Sequence, residues 1–110
     1  MTTADNIRRL ALALPQAEER DHHGSPSFCV KTKIFATVGE TADRMTLKLD
    51  PEDRRNLAEA HPGMIEAVPG YWGRMGWTLV DYAACDEATA AALLRLAWSM
   101  VAPKRLLAAP

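Results

Sequence analysis

The side chains able to do chemistry in this chain are few and scattered. His22-His23, Cys29, His61 and Cys85 are the metal-ligating types. Zinc sites need ligands at short paired spacings, such as two cysteines two residues apart. No such pair occurs, so the sequence predicts no metal, and the histidines read as polar-loop residues. Cys29 as a nucleophile would need a base and an electropositive setting. It has Lys31 nearby but no triad partner in the sequence, and an inert thiol is the expectation. Carboxylates pair at Glu18-Glu19, Asp50 with Asp53, and Asp86-Glu87. The last two sets are helix-start signatures, and the first reads as solvated loop. Gly70, Gly73 and Gly76 are regularly spaced but lack the strand–helix context of a phosphate or dinucleotide loop, and they read as a turn. These readings predict a protein that is not an enzyme and needs no cofactor.

The basic residues form a more suggestive pattern. Lys31, Arg44 and Lys48 share the parity opposite the apolar face of three alternating runs. Phe35, Thr37 and Thr46 are expected on that same outward side, joined by Thr78 and Tyr82 from a later strand. Lys33 falls at a turn, and Arg74 lies in a loop beside Tyr71 and Trp72. From Ser25 to Leu49 four Lys/Arg face two Asp/Glu, a local net of +2. A mildly basic, threonine-rich face with aromatics can track phosphates or stack bases. The competing reading is a plain solvated sheet face. Lys31, Lys33, Arg44, Lys48 and Arg74 are thus the candidate nucleic-acid contacts. Trp77 and Trp98 read as core, whereas Trp72 has little apolar company beyond Tyr71 and Met75.

The elements that must position these residues are legible from periodicity. Ile7, Leu10, Ala11 and Leu14 recur at helical spacing, with Thr2 and Asp5 as a capping pair and Pro15 as the stop. Gln16 to Pro26 reads as a polar link. Phe28 and Val30, then Ile34, Ala36 and Val38, then Met45, Leu47 and Leu49, mark the buried side of a three-strand antiparallel meander. Gly39 to Asp43 is a loop. Asp50-Pro51-Glu52-Asp53 starts a helix that Pro62-Gly63 ends. Met64 to Val68 reads as a short strand, Pro69 to Gly76 as a loop or hairpin tip, and Trp77 to Tyr82 as a strand with Trp77 and Leu79 inward. Asp86 caps a last helix whose buried stripe is Leu93, Leu94, Ala97, Met100 and Val101, with Pro103 ending it. The order α-βββ-α-ββ-α predicts an α+β, two-layer fold, an antiparallel sheet with helices on one face.

At 110 residues the chain reads as one domain, 1–110. Lys+Arg 13 against Asp+Glu 14 leaves a net charge of −1, which excludes a strongly cationic nucleic-acid binder but not a local patch. No apolar run approaches the ~20 residues of a membrane span, and Met1 to Asp5 carries no secretory signal. Two distant cysteines read as reduced thiols, and a cytoplasmic location is expected.

Five short signatures in order carry a family likeness. They are Lys33-Ile34-Phe35-Ala36, Leu47-Lys48-Leu49-Asp50-Pro51, His61-Pro62-Gly63, Gly76-Trp77, and Val101-Ala102-Pro103-Lys104-Arg105-Leu106. Together they resemble the MmcQ/YjbR-like family of small bacterial proteins over nearly the whole length. The resemblance implies a two-layer fold akin to the type III secretion chaperone fold, and it implies DNA binding, with Lys33, Phe35, Lys48 and Trp77 as the carried-over positions. The chain departs from the family before Trp77, where Gly73-Arg74-Met75-Gly76 replaces a more basic approach. Three functions stay open. A nucleic-acid module, weakly directed at phosphates through the sheet face, predicts salt-sensitive binding. A protein-interaction or homodimerising module predicts a concentration-dependent mass, so the chain is a monomer or homodimer. An enzyme or small-ligand binder in the His22-His23 and Trp72 region predicts a deep pocket with converging polar groups.

Overall fold

The computed structural model describes residues 2–22, 24–39 and 43–107. The chain runs through helix α1 (Ala4–Leu12), strands β1 (Ala17–His22), β2 (Ser25–Val30), β3 (Lys33–Val38) and β4 (Arg44–Lys48), and helix α2 (Pro51–Ala60). It continues through β5 (Ile65–Ala67), α3 (Tyr71–Arg74), β6 (Trp77–Asp81), a 3₁₀ turn (Tyr82–Ala84), α4 (Glu87–Val101) and α5 (Lys104–Leu107). The expected α+β order is present, with further elements in the segments read as link and loop. The six strands form one sheet in the order β1-β2-β3-β4-β6-β5, and every neighbouring pair is antiparallel. His23 and the middle of the loop expected between Gly39 and Asp43 lie outside the described residues.

Helix starts follow the side chains that can satisfy unpaired N–H groups. Asp50 accepts from the Glu52 N–H at 2.8 Å with Pro51 in the first helical turn, and Asp86 accepts from the Thr89 N–H at 2.7 Å. The cap of α1 is Thr3 rather than Thr2. Its hydroxyl takes the Asn6 N–H while the Asn6 side chain takes the Thr3 N–H. Thr2 is instead buried, donating from Oγ1 to the Cys85 carbonyl at 2.8 Å.

One face of the sheet is the core. Phe28, Val30, Ala36, Val38, Met45, Leu47, Leu49 and Val80 pack there beneath Leu93, Leu94, Ala97 and Trp98 of α4 and Ile7 and Ala11 of α1. Full burial of one such large side chain contributes roughly 1.5–3 kcal/mol, so this layer dominates stability. Trp98 Nε1 donates to the Pro15 carbonyl at 2.9 Å, which satisfies the indole inside the core. Met100, expected in the buried stripe, is 44% exposed.

Three features of the sheet differ from the periodicity reading. The link from Gln16 to Pro26 contains β1, which pairs along its length with β2. Its inner side chain Glu19 reaches Arg8 of α1, so a polar strand still docks. Between β2 and β3 the register slips at Phe28 and Cys29. Phe28 faces Ala36 and Cys29 faces Ile34, which leaves Phe35 as the extra residue. That bulge turns Phe35 into the core, fully buried, instead of outward.

The third difference is the register of β6. Met45 lies opposite Val80, and Leu47 lies opposite Thr78. Directly opposed residues share a face. Thr78, Val80 and the following Tyr82 are therefore buried, while Trp77 and Leu79 stand on the outer face, partly exposed. Burial of Thr78 is tolerated because its hydroxyl donates to the Gly76 carbonyl at 3.1 Å. The β4 alternation is as expected, with Met45 and Leu47 inward and Arg44, Thr46 and Lys48 outward.

Candidate functional site

The flipped parity of β6 gives the outer face an apolar centre. Thr37, Thr46, Leu79 and Glu66 form a row across β3, β4, β6 and β5. Around it opens a groove of about 450 Å³, floored by Ile34, Thr37, Thr46, Leu79 and Trp77, with Val68 and Trp72 as its wall. Apart from the two threonine hydroxyls and the indole N–H groups the lining side chains are apolar, and among the described residues none is a carboxylate. Its volume is within the ~300–1,000 Å³ range of ligand pockets.

The wall is held by backbone geometry. Gly70 (φ 79°) starts α3, which carries Trp72 toward the outer face. The helix is pressed so closely to the chain before it that a Cβ on Gly73 would lie 2.0 Å from the Val68 carbonyl oxygen. A Cβ on Gly76 (φ 105°) would lie 2.5 Å from the Leu49 carbonyl oxygen. The Gly76 carbonyl also accepts the Leu49 N–H at 2.8 Å. Arg54 of α2 closes the arrangement by donating to the Gly73 carbonyl at 2.7 Å. The regular glycines are thus close-approach positions of a clasp. Trp72 is 60% exposed, with the Tyr71 ring against it edge-on at 5.5 Å. An exposed indole on a braced backbone is a preorganised stacking surface.

The candidate cations do not form one cluster. Lys48, opposite Trp77 in the ladder, holds its Nζ 5.6 Å from the Trp77 ring centroid at the groove. Arg44 is on the same face but its guanidinium pairs with Glu66 at 3.4 Å. Arg74 is exposed on α3, two residues from Trp72. Lys31 and Lys33 belong elsewhere. Lys31 and Thr32 make the two-residue connection between β2 and β3, and they border a separate cleft of about 400 Å³ with Lys33, Val101, Pro103 and Lys104. That cleft lies at the C-terminal end of α4, whose exposed carbonyls favour cations. Of the residues carried over by resemblance, Lys48 and Trp77 meet at the groove, Phe35 is core, and Lys33 is at the cleft.

The other reactive types are occupied structurally. Cys29 is fully buried, its thiol donating to the Lys31 carbonyl at 3.4 Å. The Arg20 guanidinium is held above its ordinary pKa chiefly by hydrogen bonding to that thiol, with Glu18 adding to it. Burial pushes the Cys85 thiol up, and Asp81 and Asp86 push it further, which disfavours the nucleophilic thiolate. Among the described residues no group of three or more His, Cys, Asp or Glu is placed to hold a metal. His22 ends β1, and its side chain is outside the described set, as is His23.

Sequence reasoning missed Ile34, Leu79 and Val68 as groove residues and Arg54 as the brace. The bulge moves Ile34 from the expected buried side to the outer face. For Leu79 a signal existed. Apolar residues occupy both parities of Trp77-Thr78-Leu79-Val80, so one set had to lie on the face read as polar. Arg54 carried no signal, since a basic residue on an amphipathic helix ordinarily faces water.

The YjbR family model matches residues 12–100 of the chain. Among solved structures, the chain is similar to the Deinococcus radiodurans protein DR2400, whose crystal structure is described with the family domain DUF419. The likeness has a TM-score of 0.71 at 30% sequence identity, over 88% of this chain and 76% of that one. No protein with a curated description matches. Among the described residues no helix is long and apolar enough to cross a membrane.

Proposed function

The chain belongs to the YjbR family, and on that premise we propose that it is a non-catalytic, cytoplasmic nucleic-acid-binding module working through the outer face of its sheet. The observation that carries this reading is the position of Lys48, held over Trp77 at the edge of an aromatic groove that, among the described residues, no carboxylate lines. A phosphate at Lys48 and a base against the adjoining indole is the pairing of contacts by which sequence-tolerant binders hold a strand. Arg74, exposed on the same short helix as Trp72, is a second cation near the groove, while Arg44 contributes less because Glu66 already shares its charge. Lys31 and Lys33 take part when the nucleic acid extends beyond the groove to the β2–β3 connection.

Few cations mean weak binding. Affinity falls in the ~10⁻⁴–10⁻⁶ M range of non-specific complexes, with a salt slope of about −0.9 per phosphate neutralised. Titrating labelled DNA at several salt concentrations tests this. Wild type binds at low salt with a shallow slope, and Lys33→Ala/Lys48→Ala binds more weakly and equally so for unrelated sequences. Tight binding to one sequence that survives the double change rules out phosphate direction.

A second reading is favoured by the exposed Tyr71, Trp72 and Met75, at 58%, 60% and 47%. Such a patch also suits a protein partner or a second copy of the chain. A mass that rises with concentration, together with no DNA binding at low salt, selects it.

A further inference from the structure

We infer that the groove on the outer sheet face seats a single unpaired nucleobase, so that the module prefers single strands to duplex. This rests on the nucleic-acid reading above and narrows it to one class of target. In a duplex both faces of each base are covered by its stacked neighbours, and only edges and phosphates reach a protein. Lys48 and Arg74 can use the phosphates of either form. Trp72 can use only a base that has left the stack.

Three observations point to a base in particular. First, the Trp72 ring is 60% exposed on a helix whose backbone is braced at Gly73, with the Tyr71 ring edge-on beside it. A flat, preorganised ring loses little freedom when another flat ring covers it. Second, the floor carries the hydroxyls of Thr37 and Thr46. A hydroxyl both donates and accepts, so the floor can meet the edge of any base without selecting one. Third, the Lys48 end of the groove is cationic, while Glu66 at the far end of the row is paired with Arg44. Lys48 sits over Trp77, where the phosphate next to a seated base would lie, and among the described residues the lining holds no carboxylate to repel it. A purely apolar partner would leave that ammonium without a counter-charge.

The test compares one oligonucleotide in three forms by fluorescence anisotropy with the full chain: single-stranded, closed into a hairpin duplex, and single-stranded with abasic residues. The abasic strand keeps the phosphates and removes the bases. The expected result is tighter binding of the intact single strand over both others by about 5- to 150-fold, the span that stacking of one base provides. Trp72→Ala should erase that preference without changing the salt slope, and Trp72→Phe should restore most of it. Lys48→Ala should weaken all three forms. Should Trp72→Ala fail to fold, the abasic comparison and Trp72→Phe still decide.

Equal binding of the three forms with an intact salt slope overturns the base seat and leaves phosphate-directed binding standing. Absence of binding to all three at low salt overturns both. A dimer that Trp72→Ala dissolves, with no oligonucleotide bound, assigns the groove to a second copy and overturns the inference.

Discussion

Lys31 sits in the connection between β2 and β3 with φ of 59°, a conformation that costs an L-residue with a Cβ. Lys31→Gly should therefore raise stability by about 0.5–1 kcal/mol in urea unfolding, while lowering affinity for nucleic acid if that lysine reaches a phosphate. Gly73 poses the opposite case. Its missing Cβ is filled by the Val68 carbonyl oxygen, a main-chain atom that cannot rotate away. Gly73→Ala should cost about 3 kcal/mol or more, because strand and helix must part to admit one methyl group. The same denaturant measurement checks it. Arg54→Ala removes a donor from the Gly73 carbonyl instead of adding bulk, and a loss of about 1–2 kcal/mol is expected, with weaker binding at the groove.

At the scale of elements, α4 is the longest helix and the main lid of the core, and its start depends on Asp86. The backbone N–H of Thr89 donates to this carboxylate and holds its pKa below the ordinary value. A folded pKa lower than the unfolded one contributes stability that is present above the unfolded value, about 3.9, and lost as pH falls through the folded value. Asp86→Ala should thus lower the Tm at neutral pH, and its gap to wild type should close as acid protonates the wild-type cap. Asp86→Asn, which caps without titrating, should keep its Tm through that window. The start of this helix was legible in the sequence, as were Asp50-Pro51 and the β4 alternation, because caps and two-residue periodicity are local properties. The strand β1 was not, since a charged edge strand shows no apolar alternation and is recruited by pairing with β2. Phe35 was misplaced because a bulge breaks the count of two without any mark in composition. Trp77 and Leu79 were misplaced because parity within β6 is set by its neighbour β4, and the local pattern is apolar on both sides. The groove followed from that last point, so the candidate cations were readable while the groove beside Lys48 was not.

At the scale of the whole molecule, the edges of the sheet discourage growth. One edge is β1, with Glu18, Glu19, Arg20 and Asp21 along it, and the other is β5, three residues long. Charged or very short edges resist pairing with another chain. Self-association, where it occurs, is therefore expected through the groove face, and Trp72→Ala rather than an edge substitution should lower the mass in sedimentation. The strand order has a kinetic corollary. From β1 to β4 the chain folds back on its immediate predecessor, but β6 enters between β4 and β5, which precede it in sequence. Such an insertion requires closure of a longer loop than the hairpins do, so β6 is expected to join after the meander. Val80→Ala should then speed unfolding more than it slows refolding in stopped-flow chevrons. Trp77 and Leu79 arrive on β6, with Trp72 and Val68 just ahead of it. The groove therefore exists only once the seam between β4 and β6 has closed. Any ligand seated there acts as a latch on that seam, slowing its reopening in hydrogen exchange and leaving the meander's own protection unchanged.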